Sequence, residues 1–144
     1  MDYNLNRFVE AQETTYDIAL SEIKNGYKQS HWMWFIFPQL RGLGESPMSF
    51  LYGLQDLEEG KAYLAHPVLR RRLIACCEAL LTHEDKTAQD ILGEIDARKL
   101  RSCMTLFALV CEENSIFHQV LSRFFCGQQD PLTLTLIKQN SKGE

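Results

Sequence analysis

The sequence predicts an all-α protein, a single multihelical domain of about six to eight helices over residues 1–144. Three observations predict it. Apolar residues recur at spacings of three and four through most of the chain. Asn, Ser, Thr and Asp stand ahead of these stripes, where helix caps are wanted, and Gly or Pro stands after them. No repeat, linker or composition shift divides the 144 residues, a length that suits one ordinary domain.

Residues 5–25 carry Leu5, Phe8, Val9, Tyr16, Ala19, Leu20 and Ile23 on one helical stripe. Asn4 or Asn6 is the expected cap and Gly26 the stop. Ser30 is the expected cap of a short helix through the aromatic run, halted near Pro38. A strand is the rival for this run, because Trp, Phe and Ile favour strands. Residues 39–53 hold Gly42, Gly44, Pro47 and Gly53, and read as irregular chain of the kind that carries function. A helix over Asp56–Ala65 ends at His66-Pro67, and Pro67 suits the start of the next, Val68–Leu81. Thr87 caps a short helix to Leu92, closed by Gly93. Asp96 is the expected cap of a long helix over Ala97–Cys111, with Leu100, Met104 and Phe107 on its apolar face. Asn114 or Ser115 opens a helix to Phe125, and Asp130-Pro131 opens the last. Residues 140–144 read as a frayed tail. Phe8, Leu73, Leu100, Met104, Phe107 and Phe124 are the expected core.

The apolar fraction of 45% and charged fraction of 24% are those of a soluble globular protein. A net charge of −4 argues against broad nucleic-acid binding through a basic face. The longest apolar run, Trp32 to Phe37, is too short to span a bilayer. The N-terminus shows no basic segment followed by an apolar one, so no secretory signal is expected. Five cysteines, an odd count with no Cys-x-x-Cys, read as reduced thiols in a cytoplasm, with a nucleophilic cysteine as the weaker alternative. The four histidines have no metal-ligand spacing, and no cofactor is expected.

The most informative stretch is Ser30-His31-Trp32-Met33-Trp34-Phe35-Ile36-Phe37-Pro38-Gln39, which holds both tryptophans. Large aromatics bury much area, so the run is core, ligand-binding wall, or both. His31 and Gln39 at its ends carry polar atoms that would need partners if buried. On a helix Trp32 and Trp34 lie about 200° apart, so only one can face a given pocket. No Gly-x-Ser-x-Gly, phosphate-loop or His-Glu-x-x-His motif is present.

These residues also carry a resemblance. Arg7-Phe8-Val9-x-Ala11-Gln12, His31 through Gln39, Gly42-Leu43-Gly44-x-Ser46 and Ala62-Tyr63-Leu64-x-His66-Pro67-Val68-Leu69 resemble motifs of a family of small bacterial proteins. Asp96-x-x-Lys99-Leu100-x-Ser102-x-Met104-Thr105-Leu106-Phe107 and Phe124-x-x-Gly127-x-x-Asp130 continue the match over about the whole chain. It is a domain-of-unknown-function family, sometimes labelled calpastatin, and the resemblance implies a helical fold. Calpastatin itself is disordered, whereas this composition is that of a compact domain. A looser resemblance is to the helical NADAR-type proteins, associated with NAD and ADP-ribose, which act as N-glycosidases. By analogy it implies a site that combines tryptophans with carboxylates and a lysine.

The reading that follows is a hydrolase of an N-glycosidic bond in a nucleotide-like or ADP-ribosyl compound. Asp96 would stabilise positive charge at the sugar carbon. His31 would protonate the leaving group, and Lys99 or Arg41 would hold a phosphate. Trp32 or Trp34 would stack on the ligand, with Gln39, Arg41 and Ser46 beside it. Asp96 could equally be only a cap, paired with Lys99 one turn later. The alternative function is a non-catalytic helical module that binds a small heterocycle or a protein partner.

Overall fold

The computed structural model describes residues 3–111 and 114–142. Among them are ten helices and no strand. They are α1 (Asn6–Glu13), α2 (Tyr16–Asn25), α3 (Met33–Ile36), α4 (Pro47–Leu51) and α5 (Leu57–Ala65). They continue as α6 (Pro67–Leu81), α7 (Ala88–Leu92), α8 (Glu94–Val110), α9 (Ile116–Phe125) and α10 (Pro131–Lys142). The all-α prediction holds, with more helices than expected.

The extra helices have local causes. The stripe over 5–25 breaks at Thr14-Thr15, where the Thr15 hydroxyl donates to the Ala11 carbonyl at 2.7 Å and the backbone leaves α1 geometry. Neither Asn4 nor Asn6 caps α1, which has Leu5 at its cap position and no side-chain cap bond. The segment expected to be irregular contains α4, because Ser46 accepts from the Ser49 N–H at 3.1 Å and Pro47 follows it. The long helix starts at Glu94, not Ala97, with Gly93 at its cap position. Gly93 has φ +86°, a conformation that lets α7 stop and α8 start with no loop between. Asp96 therefore lies in the first turn of α8 and is not its cap. The predicted cap Thr87 accepts from a backbone N–H of its helix, and Asp56 and Ser115, read as helix starts, do the same and are caps. α10 keeps helical backbone through Lys142; Gly143 and Glu144, the end of the predicted tail, lie outside the described residues.

α8 is the central rod, packed by α5, α7, α9 and α10, while α6 packs against α2, α5 and α9. Leu100, Met104 and Phe107 of α8 are fully buried, as are Phe8 of α1 and Tyr63 of α5. Leu73 of α6 joins them, but Phe124 is only half-buried at the edge of the core. Phe8, Tyr63, Phe107 and Phe117 stack in series, with ring centroids 5.3, 5.4 and 5.5 Å apart. Such tilted and edge-on pairs suit the aromatic quadrupole. The Tyr63 hydroxyl accepts from Gln12 Nε2 at 3.1 Å, which satisfies both buried groups.

The loop that carries Ser46 is closed by backbone pairing. The Arg41 N–H donates to the Leu54 carbonyl at 2.8 Å and the Leu54 N–H to the Gln39 carbonyl at 2.9 Å, an isolated parallel bridge. Gly53 permits this approach: a Cβ there would stand 2.6 Å from the Ser49 carbonyl oxygen and 2.7 Å from the Arg41 Cα.

The cysteines are unpaired thiols, three of them buried and Cys126 exposed. Burial pushes the Cys76 thiol up to about 12 and raises Cys77 and Cys103 too, so none of these three is a ready nucleophile. No described helix is long and apolar enough to cross a membrane.

Candidate functional site

Ile95, Arg98, Lys99 and Ser102 follow one another at i, i+3, i+4 and i+7, so they share one face of α8. That face is turned from the core and forms a wall of an open cleft of about 480 Å³, with Arg101 beside it. Gln39, Leu43 and Ser46 of the pinned loop contribute a second wall with Trp34, and Asp130 and Leu132 at the start of α10 contribute a third.

The aromatic run divides its work. Trp32 is fully buried, and its indole N–H donates to Glu22 Oε1 at 2.9 Å. The same carboxylate accepts from the Gln29 and Ser30 N–H groups at 2.9 and 3.0 Å and from the Ser30 hydroxyl at 2.6 Å. Ser30 thus anchors the run to α2 and does not cap α3, whose cap position is Trp32. Trp34, two residues on, turns into the cleft. Its Nε1 is buried and has no partner among the described residues. Beside the same ring lies a void of about 10 Å³, lined also by Met33, Gln39, Ser49 and Lys99.

Burial alone would raise the pKa of Glu22, but its four hydrogen bonds outweigh that and hold it at about 2. With the folded value below the ordinary carboxylate range, Glu22 contributes stability that is complete above about pH 4.5. That contribution is lost as pH falls toward 2. Glu22→Gln is expected to flatten the acid limb of the stability curve in this window. An unchanged acid limb in urea titrations would show that these bonds do not govern it.

A ladder of charges links both tryptophans to α8. Lys28 Nζ lies 5.1 Å from the Trp32 ring centroid and pairs with Asp96 at 2.9 Å. Asp96 reaches Lys99 at 3.6 Å, and Lys99 Nζ lies 4.4 Å from the Trp34 centroid. Two ion pairs that share Asp96 therefore lie between two cation–π contacts, from one tryptophan to the other. Asp96 sits inside this ladder and does not line the cleft.

The residues singled out from sequence are thus distributed. Trp34, Gln39, Ser46 and Lys99 meet in the cleft. Trp32 belongs to the core and Asp96 to the lysine ladder. His31 is exposed and does not line the cleft. Arg41 points elsewhere: it donates to the Phe50 carbonyl at 2.9 Å and stacks 4.3 Å from the Phe50 ring centroid. Sequence reasoning missed Arg98, Arg101, Ser102 and Asp130. The signal was the α8 stripe itself, three polar residues in helical register with Ile95 on a helix otherwise read for its apolar face.

Asp130 is held from three directions. The Thr133 N–H, the Thr133 hydroxyl and the Ser102 hydroxyl all lie within donating distance of Oδ2, at 3.0, 2.6 and 3.1 Å. Its own N–H donates to Thr105 Oγ1 at 2.9 Å. Arg101 donates to the Gln128 and Gln129 carbonyls at 3.1 and 2.8 Å, which fixes the approach to α10. Among the described residues, no three His, Cys, Asp or Glu side chains cluster as metal ligands would.

A family model described as "Protein of unknown function (DUF1810)" matches residues 2–137. The chain is similar in structure to the conserved hypothetical protein Rv1873 from Mycobacterium tuberculosis. The TM-score is 0.92 and the identity 41%, over 94% of this chain and 97% of that one. No curated protein matches.

Proposed function

This chain belongs to the DUF1810 family of proteins of unknown function, and we propose that it binds a nucleotide-like or ADP-ribosyl compound in the α8 cleft and hydrolyses its N-glycosidic bond. One observation carries the reading: Lys99 lies over the face of Trp34 in a cleft that also receives Arg98 and Arg101. An aromatic face suits a flat heterocycle, and cations on the neighbouring wall suit its phosphates. The volume of about 480 Å³ is in the range of small-molecule sites. Lys99 is also free to respond. Its contact with Asp96 is 3.6 Å, against 2.9 Å for Lys28 with the same carboxylate. An incoming anion can draw the ammonium away and uncover the ring.

Departure of a base leaves positive charge on the sugar carbon, which a carboxylate in the cleft would stabilise. Asp96 is committed to Lys28 and Lys99, so in this reading it positions Lys99 rather than meeting the sugar. The looser NADAR likeness agrees with a tryptophan–lysine–carboxylate site, as an analogy. The buried, unpaired cysteines suit a reducing cytoplasm. The place of Asp96 also favours a second reading, a module that binds the heterocyclic ligand without cleaving it.

Titration with ADP-ribose and NAD, followed by tryptophan fluorescence and calorimetry and then by an assay for released base, tests both. Binding that changes the fluorescence of the wild type but not of Trp34→Phe, with base release, is the expected result. Binding without release leaves the module. Binding of neither compound ends the proposal.

A further inference from the structure

We infer that Asp130 is the carboxylate that meets the ligand's sugar: its second oxygen accepts hydrogen bonds from sugar hydroxyls in the α8 cleft. The inference rests on the proposed function and deepens it. Asp130 lines the cleft together with Lys99 and Ser102. Oδ2 takes all three of its hydrogen bonds, from Thr133 twice and from Ser102. Oδ1 takes none among the described residues and is the oxygen left for a ligand. A carboxylate accepts through both oxygens, so the one held by the protein orients the one that is not.

The anchorage exceeds what a cap needs. A cap requires one backbone N–H, here that of Thr133. The Thr133 hydroxyl adds a side-chain bond, the Ser102 hydroxyl shares its one hydrogen between Oδ2 and the Arg98 carbonyl at 3.2 Å, and Thr105, itself fully buried, holds the Asp130 N–H. A carboxylate so fixed is preorganised to receive a donor. The cleft thereby presents complementary groups: cations on α8 and an acceptor at Asp130. An anionic, hydroxyl-rich compound, a ribosyl diphosphate, carries both counterparts.

Equilibrium binding of ADP-ribose and of inorganic pyrophosphate, which has the anion but no sugar, separates the roles. Asp130→Asn keeps an oxygen for the cap and for Ser102 but turns the free acceptor into an amide donor. It is expected to weaken ADP-ribose about tenfold or more while pyrophosphate stays within about twofold. The melting temperature should hold, because Asn caps as well as Asp. Asp130→Ser also caps, withdraws the second oxygen, and should show the same selective loss if the Asn variant folds poorly. Wild-type affinity for ADP-ribose in both variants, or equal loss of both ligands with a lowered melting temperature, would make Asp130 a structural cap only. A wild type that binds pyrophosphate but not ADP-ribose overturns this inference and leaves the anion site. A wild type that binds neither removes the proposed function and this inference with it.

Discussion

Replacing Arg7 with alanine is expected to destabilise the fold by about 3–5 kcal/mol, the range for breaking a buried ion pair from one side. Arg7 pairs with Glu59 at 3.0 Å, and the Glu59 side chain is only 2% exposed. The same guanidinium donates to the Leu51 and Gly53 carbonyls at 2.8 and 3.1 Å. Glu59 also accepts from the Gln55 N–H at 2.7 Å, so it is fixed in place and cannot turn to water. Without Arg7 a buried carboxylate and two carbonyls lose their partner together. Arg7→Lys should recover only part of the loss, because an ammonium cannot span the carboxylate and both carbonyls as the planar fork does. Urea unfolding measures both variants. A loss below about 1 kcal/mol for Arg7→Ala would place the pair among ordinary surface bridges. The effect should reach the cleft, since Leu51 and Gly53 end the loop that carries Ser46.

Lys99→Ala is the second large effect, and it falls on binding. Loss of one charge-assisted hydrogen bond, about 1.5–3 kcal/mol, corresponds to roughly a 10- to 150-fold weaker complex with ADP-ribose or pyrophosphate. Stability should change by less than about 1 kcal/mol, since Asp96 keeps Lys28 at 2.9 Å. Asp96→Asn is the informative control. It removes the 3.6 Å tether but leaves the cation over Trp34, so affinity should stay within about fivefold of the wild type. Calorimetry on the two variants discriminates the roles. Equal loss in both would mean that the Asp96 carboxylate is itself needed for binding, through Lys99 or directly. No loss in Lys99→Ala would mean that the lysine only covers the ring.

The helical class and most helix starts were legible in the sequence because their causes are local. Thr87, Ser115 and Asp56 cap the helices they precede, and the apolar stripe of Leu100, Met104 and Phe107 buries as its period requires. The errors were of short range and small energy. A Thr-Thr pair split one stripe, and a glycine at positive φ started α8 three residues early. The site was legible in part. The aromatic run announced itself by composition, and Lys99, Gln39 and Ser46 were read with it. Which tryptophan faces the cleft was not decided there, because it depends on Glu22 of α2 capturing the Trp32 indole from ten residues upstream. Asp96 and Asp130 have the same local signature, an acid at a helix start. Only the fold separates them: Lys28 reaches Asp96 from the chain after α2, while Ser102 and Thr105 of α8 clamp Asp130 against the cleft. Local sequence determines helices because hydrogen bonds and caps act within a turn. The identity of the cleft's residues was left to tertiary packing, because partners up to 68 positions apart, Lys28 and Asp96, decide where each charge goes.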